Sequence, residues 1–514
     1  AAHRWDQLEG DPELAGPWHL LFKQVQSPRH ILSELLQNAD DAGATEASVF
    51  FEDNAFIFQH NGEDFTEEHF ASICRFGYSN KRALHTIGFR GVGFKSTFSL
   101  GERVELFTPT LSVSFHENRF TEPKWANDNL NTDGLTTIRV AIRDDHRRVE
   151  VEKNLEDWLK SPVSLLFFKN IRRIQIGDSE LHWGSLGPGP VPNTEWLALH
   201  DNEDESFLIA RSAPEAFPEE ALAEIKQERM LAAQDDTEFP PSVVEIVLGV
   251  EGRLFVVLPT GVKTALPFAC NAPFIQDPSR REIKGPGTSP TNRWLLQRAG
   301  KLAAEVMLEW LQQSSANLAE RAKAYDLMPN IDHESSSLAA TCCSIVEKEF
   351  SKIIQGREIL ITDEGQLRAS RQCIILPRAI MNVWPSVQAA ALFDNAGRPA
   401  LSEHVSDINR KKLLNLKLID AFSDDDVLQV LQRKHLPRPK SSLHMLNLWS
   451  YIAPSITGYQ YYGRKAGLCI FPVQGKEVLY AADEIVHLGE KKFLPPGDDW
   501  QFLGDWLSVL DQNW

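Results

Sequence analysis

Three observations predict an α+β fold for this chain. Helical spacing of apolar residues recurs, from Ile31 to Ala44 and again from Asn292 to Gln313, and marks amphipathic helices. Strand-like runs such as AFIFQ, SVVEIVLGV and RLFVVLP stand between them. No internal repeat is visible. A length of 514 residues corresponds to roughly three domains, and the chain divides accordingly. Residues 1–165 alternate helices and strands. Residues 166–313 open on the strand NIRRIQIG, pass the Gly- and Pro-rich break SLGPGPVPNTEW, and form a second α+β block. Residues 314–514 are mixed α/β with short strands such as EILITD and CIILP.

The first helix, ILSELLQNADDAGA, sorts its polar chemistry onto one stripe. Glu34, Asn38 and Asp41 fall at i, i+4 and i+7 and so share a face, while Ile31, Leu32, Leu35 and Leu36 cover a core. A carboxylate, a neutral oxygen and a second carboxylate in one row suit Mg²⁺ held by few protein oxygens plus substrate phosphates, with one carboxylate left to orient or deprotonate water. The competing reading is a solvated helix face.

Downstream lies GFRGVGFKS, residues Gly88 to Ser96. Glycines at 88, 91 and 93 let the backbone turn tightly and bring bare N–H groups against an anion, and the run from Val92 to Leu100 opens a helix whose N-terminus favours phosphate. A P-loop is excluded, because Phe94 stands between the last glycine and Lys95–Ser96.

In this order the segments resemble the GHKL ATPases, the superfamily of gyrase, heat shock protein 90, histidine kinases and MutL, with the nearest look to the sacsin-like branch. The resemblance implies a Bergerat-type α/β sandwich ATPase domain over 1–165, a middle or transducer-like domain over 166–313, and a C-terminal region, 314–514, of unassigned role. It makes Glu34 the catalytic base and Asn38 the Mg²⁺ ligand. Gly88, Gly91 and Gly93 become the triphosphate cradle, with Arg90, Val92, Phe94 and Lys95 beside them. Asp41 and Gly62 join the nucleotide set, Ser79 and Lys81 belong to a lid, and Thr136 in GLTTIRV matches the late strand threonine that closes the pocket. ATP and Mg²⁺ are the implied ligands.

One motif departs from the family. Where an Asp usually accepts from the adenine amino group, this chain reads His60-Asn61-Gly62-Glu63-Asp64-Phe65. The Asn61 carbonyl or a neutral His60 nitrogen is left to take that role. A neutral acceptor in place of a charged one implies that ATP is preferred over GTP, but more weakly than in relatives with the Asp. A plain Asn-Gly turn is the competing reading.

In the second block, NAPFIQDPSRREI is similar to the stretch by which the chaperone relatives send a basic residue into the nucleotide site. That similarity makes Arg280 or Arg281 an arginine finger on the γ-phosphate, with Lys263 the weaker alternative. In the third block, Trp384, Trp449, Trp500, Trp506 and Trp514 read as core aromatics. The basic stretches 410–417 and 433–440 are the places where nucleic acid would touch.

Composition narrows the class. A net charge of −18 argues against a general polyanion-binding surface. No apolar run approaches membrane-spanning length, so no membrane partner is expected. The six cysteines lack metal-ligand spacing and fit a reducing compartment, which places the chain in the cytoplasm. The start, AAHRWDQLEG, lacks a secretory apolar region, and the ending LSVLDQNW has no tail-like composition, as in a piece of a longer protein. Neither GxSxG nor HExxH occurs. The reading is a slow Mg²⁺-dependent ATPase that works as a conformational clamp, chaperone-like or complex-remodelling, with protein partners and a nucleotide-dependent dimer. The alternatives are a switch in a DNA repair or antiviral defence assembly that contacts nucleic acid, and a degenerate nucleotide-binding scaffold.

Overall fold

In the computed structural model the described residues are 1–10, 13, 31–75, 93–126, 133–160, 162–199, 206–229, 239–277, 282–329, 337–394, 396–457, 467–473, 475–481 and 484. The chain forms two compact units, Ala1–Ala303 with Ile331–Glu349, and Ala304–Asn330 with Phe350–Trp514. The fold is α+β, as the sequence predicts.

The first unit is organised by strands β1 (Glu46–Glu52), β2 (Ala55–His60), β3 (Arg103–Phe107), β4 (Ser112–His116), β5 (Arg119–Trp125), β6 (Thr136–Ala141), β7 (Arg173–Ile176), β8 (Ser179–Pro188), β9 (Thr194–Leu199), β10 (Ser206–Arg211), β11 (Glu245–Leu248), β12 (Arg253–Val256), β13 (Leu258–Lys263) and β14 (Phe268–Asn271). They hydrogen-bond in the order β13-β12-β14-β11-β10-β9-β8-β7-β1-β2-β6-β3-β4-β5. Neighbours run antiparallel except β1 with β7 and β12 with β14. Strand β8 serves both halves of this sheet. Ser179–His182 pair with β7, and Trp183–Pro188 pair with β9 across a register irregularity. The boundary read at residue 165 in the sequence therefore falls beside strands that continue one hydrogen-bonded sheet.

The turn between β1 and β2 shows why the chain folds as it does locally. Asp53 and Asn54 both take positive φ, 45° and 61°, which a two-residue hairpin turn of the favoured twist requires and which Asp and Asn tolerate. Strand β2 is central, between β1 and β6, and all of it except Gln59 is buried. One face of this half is covered by helices α1 (Ala2–Glu9), α2 (Ile31–Asp41) and, after the short α3 (Glu67–Ile73), α4 (Asp145–Lys160). Leu35, Leu36 and Ala39 of α2, Val151 and Trp158 of α4, and Phe56, Phe58, Ile138 and Val140 of β2 and β6 share one core. Trp5 of α1 packs edge-on against Phe120 at 5.0 Å and donates its indole N–H to Thr121 Oγ1. A long helix over Pro290–Leu311 corresponds to the pattern read from Asn292 to Gln313.

The second unit holds a separate core that includes Ile374, Trp384, Phe393, Leu431 and Leu448, with short strand pairs such as Glu358–Ile361 against Leu367–Ala369. Trp384 is buried and donates to Pro437 O, and Trp449 donates to Ile470 O. Trp500, Trp506 and Trp514 lie outside the described residues.

Helix α2 is fastened at its C-terminal end by a residue the polar stripe does not include. Asp40 is 5% exposed, and its carboxylate accepts from the backbone N–H groups of Lys169 (3.1 Å), Asn170 (2.7 Å) and Ile171 (3.0 Å). Asn170 Nδ2 returns a bond to Asp40 O at 2.8 Å. Three donors entering β7 are thus satisfied by one side chain, and losing it leaves the buried Ile171 N–H and two part-buried N–H groups without this acceptor. Asp40→Ala is expected to destabilise the fold by about 3 kcal/mol, read by urea denaturation, and a loss within about 0.5 kcal/mol, typical of a surface substitution, would contradict this role.

Candidate nucleotide site

Helix α2 presents Glu34, Asn38 and Asp41 as a half-buried row, while Ile31, Leu32, Leu35, Leu36 and Ala39 are buried. The row is neither solvated like a surface face nor sealed like the core. A partly dehydrated carboxylate and amide can act on a charged ligand more strongly than exposed ones.

Strand β2 ends at this helix. Asn61 Oδ1 accepts from Thr45 N (2.9 Å) and Glu46 N (3.0 Å), and Asn61 Nδ2 donates to Thr45 Oγ1 (2.9 Å). The side-chain carbonyl proposed for adenine is therefore engaged with two backbone donors, and Asn61 ties the end of β2 to the start of β1. Glu63 N donates to Ala42 O at 2.8 Å. A Cβ on Gly62 would meet Ala42 O at 2.9 Å and His60 Nδ1 at 3.0 Å, so only glycine permits this approach of loop to helix. Beyond it, Thr66 caps α3 by accepting from His69 N at 3.2 Å.

His60 and Thr136 are directly opposed on β2 and β6, so their side chains leave the same face of the sheet. With Phe58 and Ile138 one step further in, they stand at the end of the face that α2 covers. His60 is 7% exposed, its Nδ1 accepts from Gly62 N at 3.1 Å, and burial holds its pKa down at about 4. Thr136 is 1% exposed, and its Oγ1 has no hydrogen-bond partner. A buried hydroxyl without a partner is costly unless something else satisfies it.

The glycine-rich turn is described only from Gly93, which opens a 3₁₀ segment, Gly93–Ser99, where the sequence predicts a helix from Val92. Lys95 is 1% exposed and turns inward. Its ammonium donates to Ile73 O at the end of α3 and lies 5.2 Å from the centroids of both Phe94 and Phe115. Burial lowers its pKa to about 7. Ser79, Lys81, Gly88, Arg90, Gly91 and Val92 lie outside the described residues, as do Arg280 and Arg281.

The stretch before those arginines is described. Asn271 accepts from Val257 N (2.7 Å) and donates to Glu245 (2.8 Å). A cavity of about 750 Å³ is lined by Asp41, Arg172, Arg211, Asn271 and Phe274, among others. Asp41 of the polar row and the NAPF stretch thus face one space. Arg211 is committed to Glu195 and Glu245, each at 3.1 Å, and Lys263 pairs with exposed Glu251.

In the second unit the basic stretches are partly used within the fold. Arg410 is buried and donates to the carbonyls of Val405 and Ser402, Lys412 is buried, and Arg438 donates to Val473 O and Lys476 O. No disulfide joins any of the six cysteines. Among the described residues, no cluster of His, Cys, Asp and Glu could hold a metal by itself and no helix is long and apolar enough to cross a membrane.

No family model matches the chain. The MORC family CW-type zinc finger protein 1 of Mus musculus is 30% identical over 166 residues, which covers 27% of this chain and 16% of the mouse protein. The chain thus spans less than a fifth of that relative's length.

Sequence reasoning missed Asp40, although a signal was present. Asp40 falls at i+4 from Leu36 and i+8 from Leu32, on the edge of the apolar face, where a carboxylate needs donors.

The His60 environment generates a pH dependence. The folded-state pKa of about 4 lies below the ordinary imidazole value of 6.5, so the unfolded chain takes up the proton first as pH falls. Stability is then lost between pH 6.5 and pH 4, with a slope approaching about 1.4 kcal/mol per pH unit. His60→Gln should remove this component in urea titrations across that window, and an identical pH profile in the variant would contradict the assignment.

Proposed function

We propose that this chain is a Mg²⁺-dependent module of the GHKL type that binds and slowly hydrolyses ATP and uses the cycle to drive a conformational clamp. The observation that carries the reading is the partnerless buried hydroxyl of Thr136 beside His60, on the sheet face that the apolar side of α2 covers. The mouse protein belongs to a family within the GHKL ATPases, and its similarity supports the same class.

The residues fit the ligands the class implies. A glycine-only approach at Gly62, an unsatisfied hydroxyl at Thr136 and a carboxylate–amide row on α2 are complementary to a purine and a metal-bound triphosphate. When bound through the Asn38 oxygen, Mg²⁺ would neutralise charge on the phosphates. Glu34, one turn before Asn38, would orient a water and take its proton. Arg280 or Arg281 would stabilise charge developing on the transferred phosphoryl group. The clamp reading draws on the cavity that Asp41 shares with Asn271 and Phe274, since residues leading to the arginine pair already face the C-terminal end of α2. Protein partners or a larger assembly would receive the conformational change.

Glu34→Ala is expected to lower phosphate release by at least about 10²-fold while ATP affinity stays within about threefold, an energy near 0.7 kcal/mol. Asn38→Ala is expected to weaken Mg²⁺·ATP binding itself. Wild-type turnover in Glu34→Ala would remove Glu34 from the mechanism. A separate measurement addresses the finger: Arg280→Ala or Arg281→Ala should reduce kcat by about 10³-fold with little change in affinity, the mark of an interaction made mainly in the transition state. Unchanged kcat in both variants would detach the second block from the chemistry.

A further inference from the structure

The position that reads the base in this site has its hydrogen-bond polarity fixed by the backbone. The N–H of Gly62 can only donate, and it donates to His60 Nδ1 at 3.1 Å. Nδ1 therefore carries a lone pair, and in a neutral imidazole the proton resides on Nε2. Burial keeps the ring neutral at physiological pH. Among the described residues nothing pairs with Nε2. Across the strand, the Thr136 hydroxyl is buried, partnerless and free to rotate as donor or acceptor. The Asn61 carbonyl does not supply an acceptor here, because both its bonds go to Thr45 and Glu46. The end of β2 and β6 thus offers one obligatory donor and one adaptable hydroxyl side by side.

We infer that His60 and Thr136 read the 6-position edge of a purine as donor plus hydroxyl, so that the site admits 6-oxopurine nucleotides such as ITP and GTP as readily as ATP. This rests on the nucleotide reading above. With adenine, N1 accepts from His60 Nε2–H and the 6-amino group donates to Thr136 Oγ1. With hypoxanthine or guanine the base takes a second pose on the same edge, with residue 60 facing position 6, so that O6 accepts from Nε2–H and N1–H donates to the same hydroxyl. In that second pose a carboxylate at residue 60 could only accept, which suits a 6-amino group and repels O6. The histidine removes that discrimination and leaves purine shape as the selector.

The test is calorimetric titration of the full chain with ATP, ITP and GTP in the presence of Mg²⁺. ITP isolates the 6-position because it lacks the 2-amino group of guanine. The wild-type dissociation constants for ATP and ITP should agree within about threefold, a difference near 0.7 kcal/mol. In His60→Asp the new carboxylate can still accept from Gly62 N–H, and ATP should become favoured over ITP by about tenfold or more. Thr136→Val should weaken ATP and ITP alike, by about tenfold. A wild-type chain that binds ATP tenfold tighter than ITP overturns the inference while leaving the nucleotide reading intact. An unchanged ATP-to-ITP ratio in a folded His60→Asp, or unchanged affinities in Thr136→Val, also overturns it. A folded wild-type chain that binds none of the three overturns the nucleotide reading, and the inference falls with it.

Discussion

The C-terminal end of helix α2 is the point on which the rest of the candidate site depends. Within a few residues, Asp40 gathers three backbone N–H groups ahead of β7, Ala42 O receives Glu63 N, and Asn61 bridges to Thr45 and Glu46. One helix end is thereby joined to the starts of β1 and β7 and to the end of β2. Each bond is modest on its own, but together they satisfy six backbone N–H groups around one helix end, of which the Ile171 N–H is buried. The outcome is positional: α2 cannot shift along its axis without breaking the Asp40 bonds ahead of β7 and the Ala42–Glu63 bond after β2, which fixes the helix that carries Glu34 and Asn38. Reactive groups on a rigid element are placed more closely than groups on loops.

The same fastening determines what the loop after β2 offers. Gly62 must pass within van der Waals limits of Ala42, and this brings its N–H onto His60 Nδ1. A backbone bond thus selects the tautomer of a buried ring, and through it the sign of the hydrogen bond presented toward Thr136. On the nucleotide reading proposed above, structural anchoring and ligand recognition would be two consequences of one close approach. Lys95 shows the opposite economy. It lies in the segment expected to face phosphate, yet its ammonium serves the end of α3 between two aromatic rings.

Helical periodicity made the α2 stripe legible in the sequence, because a 3.6-residue repeat places Glu34, Asn38 and Asp41 together without any knowledge of partners. The α+β class, the helix near residues 290–311 and the buried Trp384 were legible for the same reason: they depend on local pattern. The hydrogen-bonding of Asn61, the inward turn of Lys95 and the role of Asp40 were not. Each depends on a donor or acceptor between 15 and 131 positions away, and spacing along the chain carries no sign of it. His60 is intermediate. The departure from an acidic residue was visible, but the choice of tautomer required seeing which nitrogen Gly62 occupies.

Hydrogen exchange of the full chain, with and without Mg²⁺·ATP, tests the central claim most directly. If α2, the loop from Asn61 to Thr66 and the β6 end at Thr136 form the nucleotide site, amide exchange in those three segments should slow together on addition of Mg²⁺·ATP, and far less with ATP in the presence of a chelator. Exchange that stays unchanged in all three segments at saturating Mg²⁺·ATP would contradict the account.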